Sequence, residues 1–186
     1  WNVDALSTML KSDGLSGVED VELVNVAWEL GSSLIAQKVD AIIGAYFTHE
    51  SIALENQGHP VNVLRMEEWG VPDYYELVMV TSEEYLKSKP KVVEKFTRAV
   101  SRGYSDAIKD PAAGIEILKK YEPEIDVDID KPGSLLLQLL WQDENGKFGR
   151  QTEDKWVGFA DWMKAKAILP ENVEPEDAYT DAYSLK

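Results

Sequence analysis

The apolar pattern changes period once along this chain, near Thr81, and that change constrains the fold more than any other feature. Before it, short runs rich in Val, Ile and Leu alternate with segments of helical periodicity. VELVNV (21–26), VDAIIGAY (39–46), PVNVLRM (60–66) and ELVMVT (76–81) read as strands, with GSSLIAQK (31–38) and THESIALENQ (48–57) as helices between them. Thr48 is the expected cap of the latter helix and Gly58 its end. Strand–helix alternation of this kind predicts an α/β layer with a mainly parallel sheet over 21–81, Tyr46 and Trp69 lying near its carboxyl edge. A helix over 3–13 precedes it, with Val3, Leu6, Met9 and Leu10 on one face and Gly14 placed to end it.

After Thr81 the spacing is helical throughout. Ser82 is an N-cap for SEEYLKSK, and Pro90 stands at the first position of a helix over 90–110 whose stripe is Val93, Phe96, Val100, Tyr104 and Ile108. Residues 111–121, 132–142 and 152–169 read as further helices, the last with Trp156, Phe159, Ala160, Met163 and Ala167 along one side. Acidic residues 171–181 read as a solvated tail. The C-terminal half has no strands of its own, so its apolar stripes would cover a sheet that these residues do not supply. No internal repeat or low-complexity tract is present.

Charge narrows the partners. The chain has 186 residues with 34 acids against 19 bases, a net charge of −15, and the acids are spread along its length. Phosphate backbones and anionic membrane surfaces both call for a basic face, so a nucleic-acid partner is excluded as an expectation. A hydrophobic content of 44% sets the chain apart from disordered sequences, and a domain of this size can bury roughly 70% of its unfolded surface. No apolar run approaches the ~20 residues of a membrane span. With no cysteine, disulfides, iron–sulfur ligation and thiol catalysis are ruled out.

The segment GAYFTHES (44–51) concentrates Tyr46, Phe47, His49 and Glu50 behind a strand-like run. A zinc-protease helix would need a second histidine four residues after His49, where Ala53 stands, and His59 lies in a loop before Pro60. No metal site is therefore expected, and no cofactor. No serine, histidine and acid arrangement suggests nucleophilic catalysis. Trp28, Trp141, Trp156 and Trp162 occupy helical or helix-entry contexts and read as packing residues.

Three stretches carry a family resemblance: KVDAIIGAYFTHE (38–50), EWGVPDYYEL (68–77) and the Phe148–Gly149 to Trp156 segment. From about residue 5 to about residue 182 the chain resembles the substrate-binding proteins of ABC importers, closest to the branch that binds thiamine pyrimidine precursors. The resemblance implies an α/β fold of the periplasmic-binding-protein type II kind: two lobes with a ligand cleft between them. Residues 1–76 would be most of lobe two, and 77–186 the return crossing and the C-terminal helices of lobe one. The first 90 or so residues of such a receptor would be absent, and Trp1, which is not a methionine, would stand at a truncation boundary. It implies an extracytoplasmic location, ABC permease subunits as partners, and a non-enzymatic role. The family's eukaryotic enzymes carry a cysteine-rich motif that this chain lacks. A ligand-sensing domain of a signalling receptor is the alternative, and behind it a pyrimidine-precursor synthase-like enzyme. Self-association of a shortened chain is also expected, because its stripes would be left uncovered.

On that resemblance the ligand is an aminopyrimidine-like small molecule. Tyr46 would stack on the ring and Glu50 accept hydrogen bonds from its amine and a protonated ring nitrogen. Gly44 would let the backbone approach closely. Trp69 and Gly70, in a constrained turn before Val71-Pro72, form the second part of the candidate site, and Asp73 shapes either cleft or hinge. Read without the resemblance, Tyr46 and Glu50 are first a core tyrosine and a helix-start carboxylate favoured by the helix dipole, and Trp69 is equally a packing anchor. His49 reads as a surface residue.

Overall fold

The structure, a computed structural model, describes residues 1–183. Two compact units divide them: Trp1–Asp73 with Gly158–Val173, and Tyr74–Val157 with the segment from Glu174 onward.

The first unit is organised on α1 (Asn2–Ser12). This helix ends as its sequence implies: Gly14 takes φ +90° and Leu15 N–H returns to the Leu10 carbonyl at 3.0 Å, a left-handed exit that costs glycine little. A 3-10 turn, Val18–Asp20, and two short helices follow, α2 (Leu30–Ile35) and α3 (Glu50–Asn56), then a second 3-10 turn, Met66–Trp69. Ala5, Leu54, Val71 and Ala160 are buried here. Trp1, Phe159 and Trp162 form an aromatic cluster, with Trp1 edge-on to both other rings at 5.4 and 5.5 Å.

No sheet forms among the described residues. The four runs expected as strands are irregular segments without a ladder, and the one bridge, Gln142 with Phe148, is isolated and antiparallel. β-Propensity expresses a fit to a pleated, half-buried surface, and a strand holds its geometry only by pairing with a neighbour. Here the side chains that such a surface would bury stay in water, Leu77 at 85% and Val80 at 88% exposure.

The second unit is helical. Ser82 Oγ accepts Tyr85 N–H at 3.1 Å and starts α4 (Glu83–Ser88). α5 (Pro90–Lys109) follows with proline in its first turn, and Asp110 Oδ1 caps α6 (Pro111–Leu118) through Ala113 N–H at 3.0 Å. Gly114 lets α6 approach Ala107 of α5. α7 (Val127–Leu137) starts five residues earlier than the expected Pro132, because the Asp126 carboxylate accepts Asp128 N–H and supplies a cap that proline does not. α8 (Glu153–Ala165) contributes its first residues to this unit and the remainder to the first.

The expected solvated tail is docked instead. Tyr179 stacks on Trp156 at 5.3 Å and 3°, Pro175 is buried, and Asp181 Oδ1 accepts Gln151 N–H at 3.1 Å. Burial of the Tyr179 hydroxyl, followed by the nearby Glu153 and Asp181 charges, raises its pKa. Acidic composition alone does not reveal the two apolar residues that carry the docking.

Candidate functional site

The turn before α3 is closed by its own backbone and one carboxylate. The Tyr46 carbonyl accepts His49 N–H at 3.0 Å and Glu50 N–H at 2.9 Å, while Glu50 Oε2 accepts Tyr46 N–H at 2.8 Å. This is a reciprocal capping arrangement with the acid reaching backward. Thr48 does not cap the helix as expected; His49 holds the N-cap position without a side-chain hydrogen bond. The carboxylate of Glu50 does the capping, and it binds the turn more strongly than a hydroxyl would because it is charged. Its second oxygen, Oε1, accepts no hydrogen bond from the described residues. His49 Nδ1 lies 3.8 Å from Glu50 Oε2, with the imidazole half exposed.

Tyr46 is 45% exposed and is therefore not the core tyrosine that the residues alone favoured. Gly44, two residues before it, takes φ +93°, and a Cβ there would stand 3.1 Å from Asn2 Nδ2. The backbone angle favours glycine, and a side chain there would also push the Asn2 amide aside by a few tenths of an ångström.

The second candidate stretch is the 3-10 turn Met66–Trp69. Gly70 ends it at φ +87° and Val71 N–H closes it on the Met66 carbonyl at 3.2 Å. Trp69 is half-buried, Val71 is 2% exposed and anchors the turn, and Asp73 is exposed at the end of the unit's first segment. A Cβ on Gly70 would meet Thr8 Cγ2 and Ser12 Cβ at 3.6 and 3.7 Å. Both glycine turns therefore lie against α1, one at its first residue and one along its last turns, about 9–15 Å apart at 1.5 Å per residue.

One residue that the sequence reading did not single out, Arg65, joins these stretches. The Arg65 guanidinium lies over the Phe47 ring at 4.4 Å, and its Nε donates to Glu67 Oε1 at 2.6 Å. A lone base in an otherwise acidic stretch, next to the candidate turn, was the available signal. Trp141, Trp156 and Trp162 pack against other rings as expected. Trp28 does not: its side chain is 98% exposed.

Residues 2–114 match the family described as NMT1/THI5 like, and the chain belongs to that family. It is similar to the formylaminopyrimidine-binding protein of Halalkalibacterium halodurans, 30% identical over 184 residues, covering 96% of this chain and 55% of that protein. It is also similar to the riboflavin-binding protein RibY of Chloroflexus aurantiacus, 27% identical over 188 residues, covering 96% of this chain and 52% of that one. The chain spans about half the length of the curated relatives it matches.

Proposed function

We propose that this chain is the ligand-binding part of an extracytoplasmic solute receptor that serves an ABC importer and takes a flat nitrogen heterocycle, an aminopyrimidine first of all. The relatives' names support the class of ligand: a formylaminopyrimidine and riboflavin are both planar, nitrogen-rich ring systems. No described helix is long and apolar enough to cross a membrane. Residues 1–76 belong to lobe two of the receptor on this reading, and 77–186 to the crossing and lobe one. Residues 184–186 lie outside the described structure.

The observation that carries the reading is the division of labour within Glu50. One oxygen holds the turn through Tyr46 N–H, so the carboxylate is fixed in place. The other is uncommitted and can accept from an exocyclic amine and a protonated ring nitrogen. Tyr46 supplies an aromatic face beside it, Gly44 a backbone that a ligand can approach, and the Trp69–Gly70 turn a second wall with Asp73 at its rim. Binding, without chemistry on the ligand, is the role. ABC permease subunits are the protein partners, and copies of the chain associate through apolar surface left uncovered.

Calorimetry with an aminopyrimidine tests the site. Glu50→Gln retains a carbonyl oxygen for Tyr46 N–H, so the turn survives, but it loses the charge. Binding should weaken by about tenfold, equivalent to about 1.4 kcal/mol, while His49→Ala should change it by no more than about twofold. Wild-type affinity in Glu50→Gln, or a larger loss in His49→Ala, would overturn the assignment.

A further inference from the structure

Resting on that reading, we propose that Trp28 is a stacking wall for the same flat ligand. Tryptophan usually buries most of its ~150–250 Å² side chain in the fold. Here 98% of it is exposed, so the ring contributes little to holding the unit together.

The turn that presents it is nevertheless well fixed. Asn25 Oδ1 accepts Ala27 N–H at 2.9 Å, and Glu29 N–H returns to the Val26 carbonyl at 3.0 Å. Ala27 between them takes φ +50°, a left-handed conformation that a side-chain-bearing residue adopts at some cost. A strained turn that displays an indole to water has the form of a preorganised contact.

Its position is the second part of the argument. A Cβ on Gly31, in the first turn of α2, would stand 3.6 Å from Leu54 Cδ2 of α3. Trp28 precedes Gly31 by three residues, and Glu50 precedes Leu54 by four, one helical turn along the same face. The loop that carries Trp28 and the turn that carries Tyr46 and Glu50 thus lead into two helices in contact, α2 at its start and α3 one turn beyond Glu50. A small heterocycle held at Glu50 has an unoccupied indole within the same neighbourhood, and a stacked aromatic face suits every planar ring regardless of its substituents. That tolerance matches relatives named for ligands as different as a formylaminopyrimidine and riboflavin.

The test is a nitrogen–proton NMR titration of the labelled chain with 4-amino-2-methylpyrimidine, a method that registers weak binding. Six tryptophans give six indole N–H signals, and the one missing from Trp28→Phe is that of Trp28. We expect that signal to move on the same curve as the Tyr46 and Glu50 amides. Trp28→Ala should weaken binding by about tenfold, and Trp28→Phe, which keeps a ring, by no more than about threefold. If the amides of 46 and 50 move while the Trp28 indole stays and Trp28→Ala binds as wild type, this inference falls and the proposed function stands. If no signal moves, both fall. A Trp28 signal that follows protein concentration and ignores the pyrimidine would assign the ring to a protein contact and overturn the inference.

Discussion

The Arg65 guanidinium carbon stands 4.4 Å from the centroid of the Phe47 ring. Arg65 opens the 3-10 turn that ends at Trp69, and Phe47 follows Tyr46, so this one contact ties together the two stretches of the candidate site. A cation over a ring in a partly exposed setting is worth about 0.5–1 kcal/mol. A double-mutant cycle of Arg65→Met and Phe47→Leu, read by urea unfolding, should give a coupling of that size. Arg65→Lys should not restore it, since the planar guanidinium stacks where an ammonium does not. Additive single effects would show that the contact does not join the turns.

The two glycines should differ in what replacement costs. Gly44→Ala suffers both a positive φ and a 3.1 Å approach to Asn2 Nδ2, while Gly70→Ala suffers the positive φ with ordinary contacts at 3.6 Å. Gly44→Ala should be the more destabilising in thermal unfolding, each by about 1 kcal/mol or more. Combining Asn2→Ala with Gly44→Ala should recover part of the loss, the part due to crowding. No recovery would mean that the backbone angle alone sets the cost.

Acid should loosen one turn specifically. The Lys147 backbone N–H donates to the Asp143 carboxylate at 2.8 Å and lowers its pKa below the ordinary 3.8, with Asn145 N–H assisting and burial opposing. A carboxyl whose folded pKa is depressed contributes stability above its unfolded value and loses it as pH falls through the folded one. The window therefore lies below pH 3.8. The Asn145 and Lys147 amide signals should shift there and nowhere between pH 5 and 8, and Asp143→Ala should abolish the transition.

Exposed apolar surface should drive copies together. The segment ELVMVT places Leu77 and Val80 almost wholly in water, and an unpaired run of β-forming residues is a template for pairing between chains. Sedimentation should show a mass that rises with concentration, and Leu77→Lys with Val80→Lys should restore the monomer. A wild-type chain that stays monomeric at high concentration would refute the expectation.

Helices were legible in the residues because what makes them is local. Their hydrogen bonds run four residues back, their caps lie at their own ends, and α4 and α5 begin where Ser82 and Pro90 say they should, with α6 opening at residue 111 as its spacing predicts. The family was legible for a related reason: its motifs are contiguous in sequence. The start of α7 was misread because Pro132 signals a helix start as readily as Asp126 does, and only the hydrogen bond to Asp128 N–H decides between them.

What the sequence determined by itself is most of the helical framework, the constrained turn at Gly70, and membership of the family. The tertiary structure alone decided that the β-like runs find no ladder, that Tyr179 docks on Trp156, that Trp28 faces water, and that Glu50 commits one oxygen to Tyr46 and keeps the other. The physical reason is range. A helix satisfies its backbone within one turn, whereas a strand, a docked ring or a displayed indole depends on which distant surface is present to pair with it or to cover it.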